Sequence, residues 1–113
     1  MTIKELFDYV DEIRPNSLGN ATKMVWVNEI EGAVQTEIMG AYPDETLQYN
    51  VERDMDTQLL VKAPHAKLYA WYLIAMIELV SMGDSAYENS HRIFRKFWNE
   101  YARWYLRTHR HRV

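Results

Sequence analysis

Apolar residues recur along this chain at helical spacing in four separate stretches. In the first, Ile3, Leu6, Phe7, Val10 and Ile13 fall three and four residues apart, which predicts one apolar stripe on a helix over about 2–13. Thr2-Ile3-Lys4-Glu5 opens it with a capping-box pattern, and Arg14-Pro15-Asn16 ends it, because proline pushes the preceding residue out of the helical region. A second helix is expected over about 20–39, capped by Asn20 or Ser17, with Trp26, Val27, Ile30, Ala33, Val34 and Ile38 on its apolar face. Asn28, Glu29, Glu31, Gln35 and Thr36 are expected to lie away from that face, while Glu37 falls within it. Gly32 sits mid-helix, where glycine costs roughly 1 kcal/mol against alanine. A close neighbour is the favoured reason for it, with tolerated slack the other.

The third stretch, Pro64 to Gly83, is apolar on every side. It has ten consecutive uncharged residues from Leu68 to Ile77, about 15 Å of helix, too short to cross a bilayer. A central helix over 64–82 is therefore expected in the core, with Pro64 in its first turn and Gly83 ending it in a left-handed conformation. The fourth stretch, about 85–109, is amphipathic and capped by Asp84 or Ser85. Phe94, Phe97, Trp98, Tyr101, Trp104, Tyr105 and Thr108 share one side. Arg92, Lys96, Arg103, Arg107 and Arg110 share the other, with Arg95 and Asn99 beside them.

Residues 40–63 connect the second and third helices and are long for a connection within a compact domain. Thr46–Val51 and Thr57–Val61 have strand-like content around the polar Glu52–Asp56 segment. Two readings stay open: a short β-hairpin lying on the helices or pairing with another chain, and a surface loop ordered by its own tyrosines. Taken together, the pattern predicts a single all-α domain over 1–113: a small four-helix bundle with one long loop.

Composition changes this picture in few places. The chain has 113 residues, 48% of them hydrophobic and 26% charged, with no cysteine, so disulfides and thiolate metal sites are excluded. The N-terminus lacks the basic and apolar regions of a signal peptide, and no membrane partner is expected. The net charge of −3 conceals a split. Residues 1–56 carry twelve Asp/Glu against four Lys/Arg, a net of −8, and residues 57–113 carry four against nine, a net of +5. Either the two halves attract each other within one subunit, or identical subunits meet acidic flank on basic flank.

Catalytic chemistry is thinly represented. There is no G-x-S-x-G, no glycine-rich phosphate loop and no H-E-x-x-H, so no enzyme activity and no cofactor are expected. Glu88-x-x-His91 is half of a di-iron bundle site without its second pair, and His109-Arg110-His111 reads as a basic tail, not a metal site. The arginine-rich face suits phosphate contact by charge alone, and it equally suits a solvated helix face.

Several segments resemble the small head–tail connector proteins of tailed phages, also called head-completion or adaptor proteins. They are Trp26-Val27-Asn28-Glu29-Ile30-Glu31-Gly32 with Glu37-Ile38; Leu59-Leu60 and Ala63-Pro64 leading into Leu68-Tyr69 and Tyr72-Leu73; and Tyr87-Glu88-Asn89 opening a helix with Phe94, Phe97-Trp98 and Tyr101. The likeness spans about residues 16–108. It implies a helical subunit that forms a homo-oligomeric ring beneath the portal protein, continues the DNA channel and meets the next head–tail joining protein. The implied location is the head–tail interface of the virion, with assembly in the host cytoplasm. On that basis Glu29, Glu31, Tyr49, Asp54, Asp56, Leu59 and Arg92 are expected at the contact between copies. Arg92, Lys96, Arg103, Arg107 and Arg110 are expected to face a partner or passing DNA. The alternative is a DNA-binding regulator or packaging accessory that uses the same basic face.

Overall fold

The computed structural model describes residues 1–109. Four helices, α1 (Ile3–Ile13), α2 (Asn20–Ala33), α3 (Lys67–Ser81) and α4 (Asp84–His109), carry the fold. A π-helical turn (Val34–Ile38) continues α2, and a 3₁₀ turn (Pro43–Glu45) lies in the long connection. Among the described residues no helix is long and apolar enough to cross a membrane.

α3 is the element the others cover. Leu68, Tyr69, Ala70, Leu73, Ile74, Ala75 and Ile77 are buried, as a helix apolar on all sides requires. α4 runs back along α3 over the largest interface in the molecule, and α1 and α2 pack on α3 as well. The cover stops before the end: Leu79, Val80 and Met82 are exposed. Gly83, at φ +96, turns the chain, and the Met82 and Gly83 N–H groups both donate to the Glu78 carbonyl. α3 starts at Lys67, not at Pro64, which lies in the turn before it after a cis Ala63–Pro64 peptide.

α1 has the expected capping box. The Thr2 hydroxyl accepts from the Glu5 N–H at 3.1 Å, and the Glu5 carboxylate accepts from the Thr2 N–H at 2.8 Å. Ile3, Leu6, Phe7 and Val10 are buried, whereas Ile13, at the fraying end, is exposed. α2 starts after Gly19 with no side-chain cap, so neither Asn20 nor Ser17 caps it. α4 takes Asp84 into its first turn, where the carboxylate complements the helix dipole.

The long connection contains no strand among the described residues, only an isolated antiparallel bridge between Thr2 and Gln58. The strand-like side chains are anchors of another kind. Thr57 and Met55 carbonyls accept from the Ile3 and Lys4 N–H groups at 3.1 and 2.8 Å, which satisfies donors that a helix start leaves unpaired. Asn28 brackets Tyr49, accepting its N–H at 2.8 Å and donating to its carbonyl at 3.0 Å. Leu59 and Val61 are fully buried. Side chains on α2 thus supply what a second strand would have supplied.

Gly32 has open space where a side chain would project: a Cβ built there meets nothing within 4 Å. The close-neighbour expectation fails, and the residue is slack. Gly32→Ala should therefore raise unfolding stability by about 0.5–1 kcal/mol, read as a higher urea midpoint. Leu73→Ala should lower it by about 2–5 kcal/mol through the cavity left in the centre of the core.

Candidate functional site

Glu31 is the least expected feature of the molecule. It belongs to the apolar stripe of α2 by position, four residues after Val27 and three before Val34, and it is fully buried. Its carboxylate accepts from the Tyr69 hydroxyl on one oxygen and, on the other, from the Tyr49 hydroxyl at 2.7 Å and the Leu60 N–H at 3.0 Å. The Tyr69 oxygen in turn accepts from the Val61 N–H at 2.8 Å. Gln35, one turn further on and also buried, donates to the Glu31 backbone carbonyl and accepts from the Leu47 N–H at 2.9 Å. Neither residue lies away from the core face, contrary to the sequence expectation. Burial, followed by the Glu31 charge, pushes the Tyr49 and Tyr69 hydroxyls well above the ordinary tyrosine range.

This hub removes two residues from the expected contact between copies. Glu31 and Leu59 are fully buried and cannot meet a neighbour. Tyr49 is half-buried, with its hydroxyl engaged. Asp54 is half-buried and accepts from the Asn50 N–H at 2.6 Å, so it shapes its own turn. Glu29 and Asp56 are exposed, as is Arg92. Glu29 accepts from the Tyr72 hydroxyl at 3.2 Å; burial and that neighbouring charge push Tyr72 up to about 12.

On α4, Arg92, Lys96, Arg103 and Arg107 are all exposed; Arg110 lies outside the described residues. From Arg92 to Arg107 the row spans about 22 Å of helix. None of these groups pairs with a described acid. The three ion pairs among the described residues are Lys4–Asp8 at 2.8 Å, Lys23–Asp11 at 2.6 Å and Arg14–Glu78 at 2.8 Å. The last joins the acidic half of the chain to the basic half, yet with a cation from the former and an acid from the latter. Internal pairing therefore sharpens the charge split instead of cancelling it.

The inner edge of α4 is aromatic. His91 lies between the rings of Tyr87 and Phe94, and burial, with Arg95 nearby, lowers its pKa. No group of three His, Cys, Asp or Glu converges among the described residues. A cleft of about 540 Å³ opens between α4 and the α2 end, lined by Ile30, Tyr72, His91, Phe94, Arg95 and Trp98 among others. A smaller one of about 430 Å³ shares His91 and Arg95 with it and adds Arg92. The larger cleft escapes a sequence reading because it exists only where α4 meets the end of α2 and the π-helical turn. Comparison with known proteins finds no matching family model, no matching curated protein and no matching solved structure.

Glu31→Ala should cost about 3 kcal/mol or more, since it strands two phenols and a backbone N–H, and amide exchange should accelerate selectively over residues 47–61. Stability should also fall at high pH. Tyr72 and Tyr101, both pushed up to about 12 by burial first, keep their protons in the folded state after the unfolded chain has lost them. Their contribution is complete below pH 10 and is lost as pH rises towards 12. A urea midpoint that falls over that interval, and falls less in Tyr72→Phe, is the expected result.

Proposed function

We propose that this chain is a structural subunit of the head–tail connector kind, copies of which associate into a ring beneath a portal, continue the DNA channel and receive the next joining protein. One observation carries the reading. Two sets of exposed groups of opposite charge, Glu29 and Asp56 with the exposed α1 acids and the basic row of α4, form no ion pair with each other among the described residues. Such groups suit copies that meet face to opposite face, an arrangement that closes into rings or runs on into filaments. The order of aromatic and small residues through 16–108, which resembles that of connector proteins, supports the same reading.

The basic row of α4 also favours a second reading, a DNA-binding regulator or packaging accessory, because a line of uncompensated guanidinium groups neutralises phosphates without reading bases.

Location in the particle tests the first reading. Labelled protein should appear at the single vertex that carries the tail, with a portal or major capsid gene beside its own. Absence from purified particles overturns it. Titration of nonspecific duplex at 50 and 200 mM salt tests the second. The connector reading expects dissociation constants no tighter than roughly 10⁻⁶ M, and the regulator expects tight, steeply salt-dependent binding by a monomer or dimer.

A further inference from the structure

Residues 41–47 form a built protrusion. Gly40, at φ +78, turns the chain off the π-helical turn in a conformation that other residues rarely adopt. Buried Gln35 grips both ends of the protrusion: its backbone carbonyl accepts from the Ala41 N–H at 2.8 Å and its side-chain oxygen from the Leu47 N–H at 2.9 Å. In between, the Glu45 N–H donates to the Tyr42 carbonyl at 2.9 Å and the Thr46 hydroxyl to the Pro43 carbonyl at 3.2 Å. Pro43 opens the 3₁₀ turn. On this rigid knob Tyr42 is 69% exposed, more than any other large hydrophobic among the described residues, and Asp44 and Glu45 are exposed beside it.

The cleft between α2 and α4 has the complementary character. Its walls are aromatic (Tyr72, Phe94, Trp98), and Arg95, with Arg92 from the adjoining cleft, makes one rim cationic. Glu37 on the opposite wall disfavours a bare anion such as phosphate. An aromatic ring flanked by carboxylates on one side only satisfies both walls. We infer that the 42–45 protrusion of one copy docks into the α2–α4 cleft of the next, the Tyr42 ring against Trp98 and Phe94, with Asp44 and Glu45 facing Arg92 and Arg95. Knob and cleft are different surfaces of the same chain, so the contact is heterologous and propagates. Tyrosine and arginine are also the residue types that dominate binding energy in such contacts. The inference rests on the connector reading only in requiring that copies of the chain meet.

The chain has no cysteine, which makes crosslinking clean. Leu47→Cys and Asn99→Cys each place one thiol at an exposed position, on the knob and on the cleft respectively, and leave the Tyr42 ring in place. Mixed and oxidised, the two single variants should give a dimer joining the two different positions in preference to either homodimer. Asp44→Lys with Glu45→Lys on the Leu47→Cys chain should slow that reaction roughly tenfold. Arg92→Glu with Arg95→Glu on the Asn99→Cys chain should restore it. A mixed dimer no faster than the homodimers, or one indifferent to charge reversal, overturns the contact; so does selective crosslinking of Leu47→Cys to another protein from its particle. If sedimentation finds rings that do not crosslink, the contact falls and the connector reading stands. If the crosslink forms but particles lack the protein, the connector reading falls and the contact stands.

Discussion

A carboxylate buried without a cation usually destabilises a fold, because nothing in the interior repays its lost hydration. Glu31 is tolerable because its oxygens accept from Tyr49 and the Leu60 N–H in the long connection and from Tyr69 on α3. The three donors lie 18, 29 and 38 positions from Glu31 in sequence. The carboxylate therefore acts less as a source of net stability than as a device for register: only one placement of residues 47–61 brings two hydroxyls and an amide to one point. Ordering a connection of that length costs about 1–2 kcal/mol per residue in backbone entropy. Leu59 and Val61 offset part of that cost by burial, and Glu31, Asn28 and Gln35 choose the conformation in which the burial occurs.

The helices were legible in the sequence because they obey period alone. Thr2 and Glu5 announce α1, the uncharged run around Leu73 announces α3, and the aromatic and basic sides of α4 separate at 100° per residue. The long connection was not legible, for a physical reason. Its partners are single side chains on other elements, Asn28 for Tyr49, Gln35 for Leu47 and Glu31 for Leu60, and no local pattern encodes a bond to a residue twelve to twenty-nine positions away. The strand-like content around Leu59 and Val61 fitted a hairpin or a loop equally by pattern; both residues are buried in a connection without a strand among the described residues. Glu31 was legible in principle. Its spacing from Val27 and Val34 puts it on the buried face, and only the assumption that a carboxylate must face water sent it outward. Of the expected contact residues, Leu59 and Glu31 belong to the frame, while Glu29, Asp56 and the α4 arginines among the described residues are exposed.

That frame is asymmetric in a way that bears on the surfaces. At 26 residues α4 is about 39 Å long against about 22 Å for α3, so it outruns the helix it packs on. The excess is covered by the turn before α3: His65 packs at 5.5 Å from the Tyr101 ring and 5.3 Å from the Trp104 ring. At the other end, Arg14 reaches from the close of α1 to Glu78 near the end of α3 and ties the acidic helix to the central one. Both closures use the inner faces of their helices, and the basic side of α4 takes no part in either.

Charge that is left outside a well-satisfied core serves association more readily than folding. Exposed ion pairs add little to stability, about 0–1 kcal/mol each, so a chain loses almost nothing by failing to pair its flanks internally. Between molecules the same charges steer approach and fix orientation, where a wrong juxtaposition is penalised by several kcal/mol. Among the described residues the three ion pairs involve α1 with its C-cap Arg14, α2 and α3, while the α4 row is left to solvent, so its charges are disposed for the second use. Rigidity completes the argument. A protrusion gripped at both ends by buried Gln35 loses little further entropy on docking, so even a small contact through Tyr42 and two acids retains most of its favourable energy.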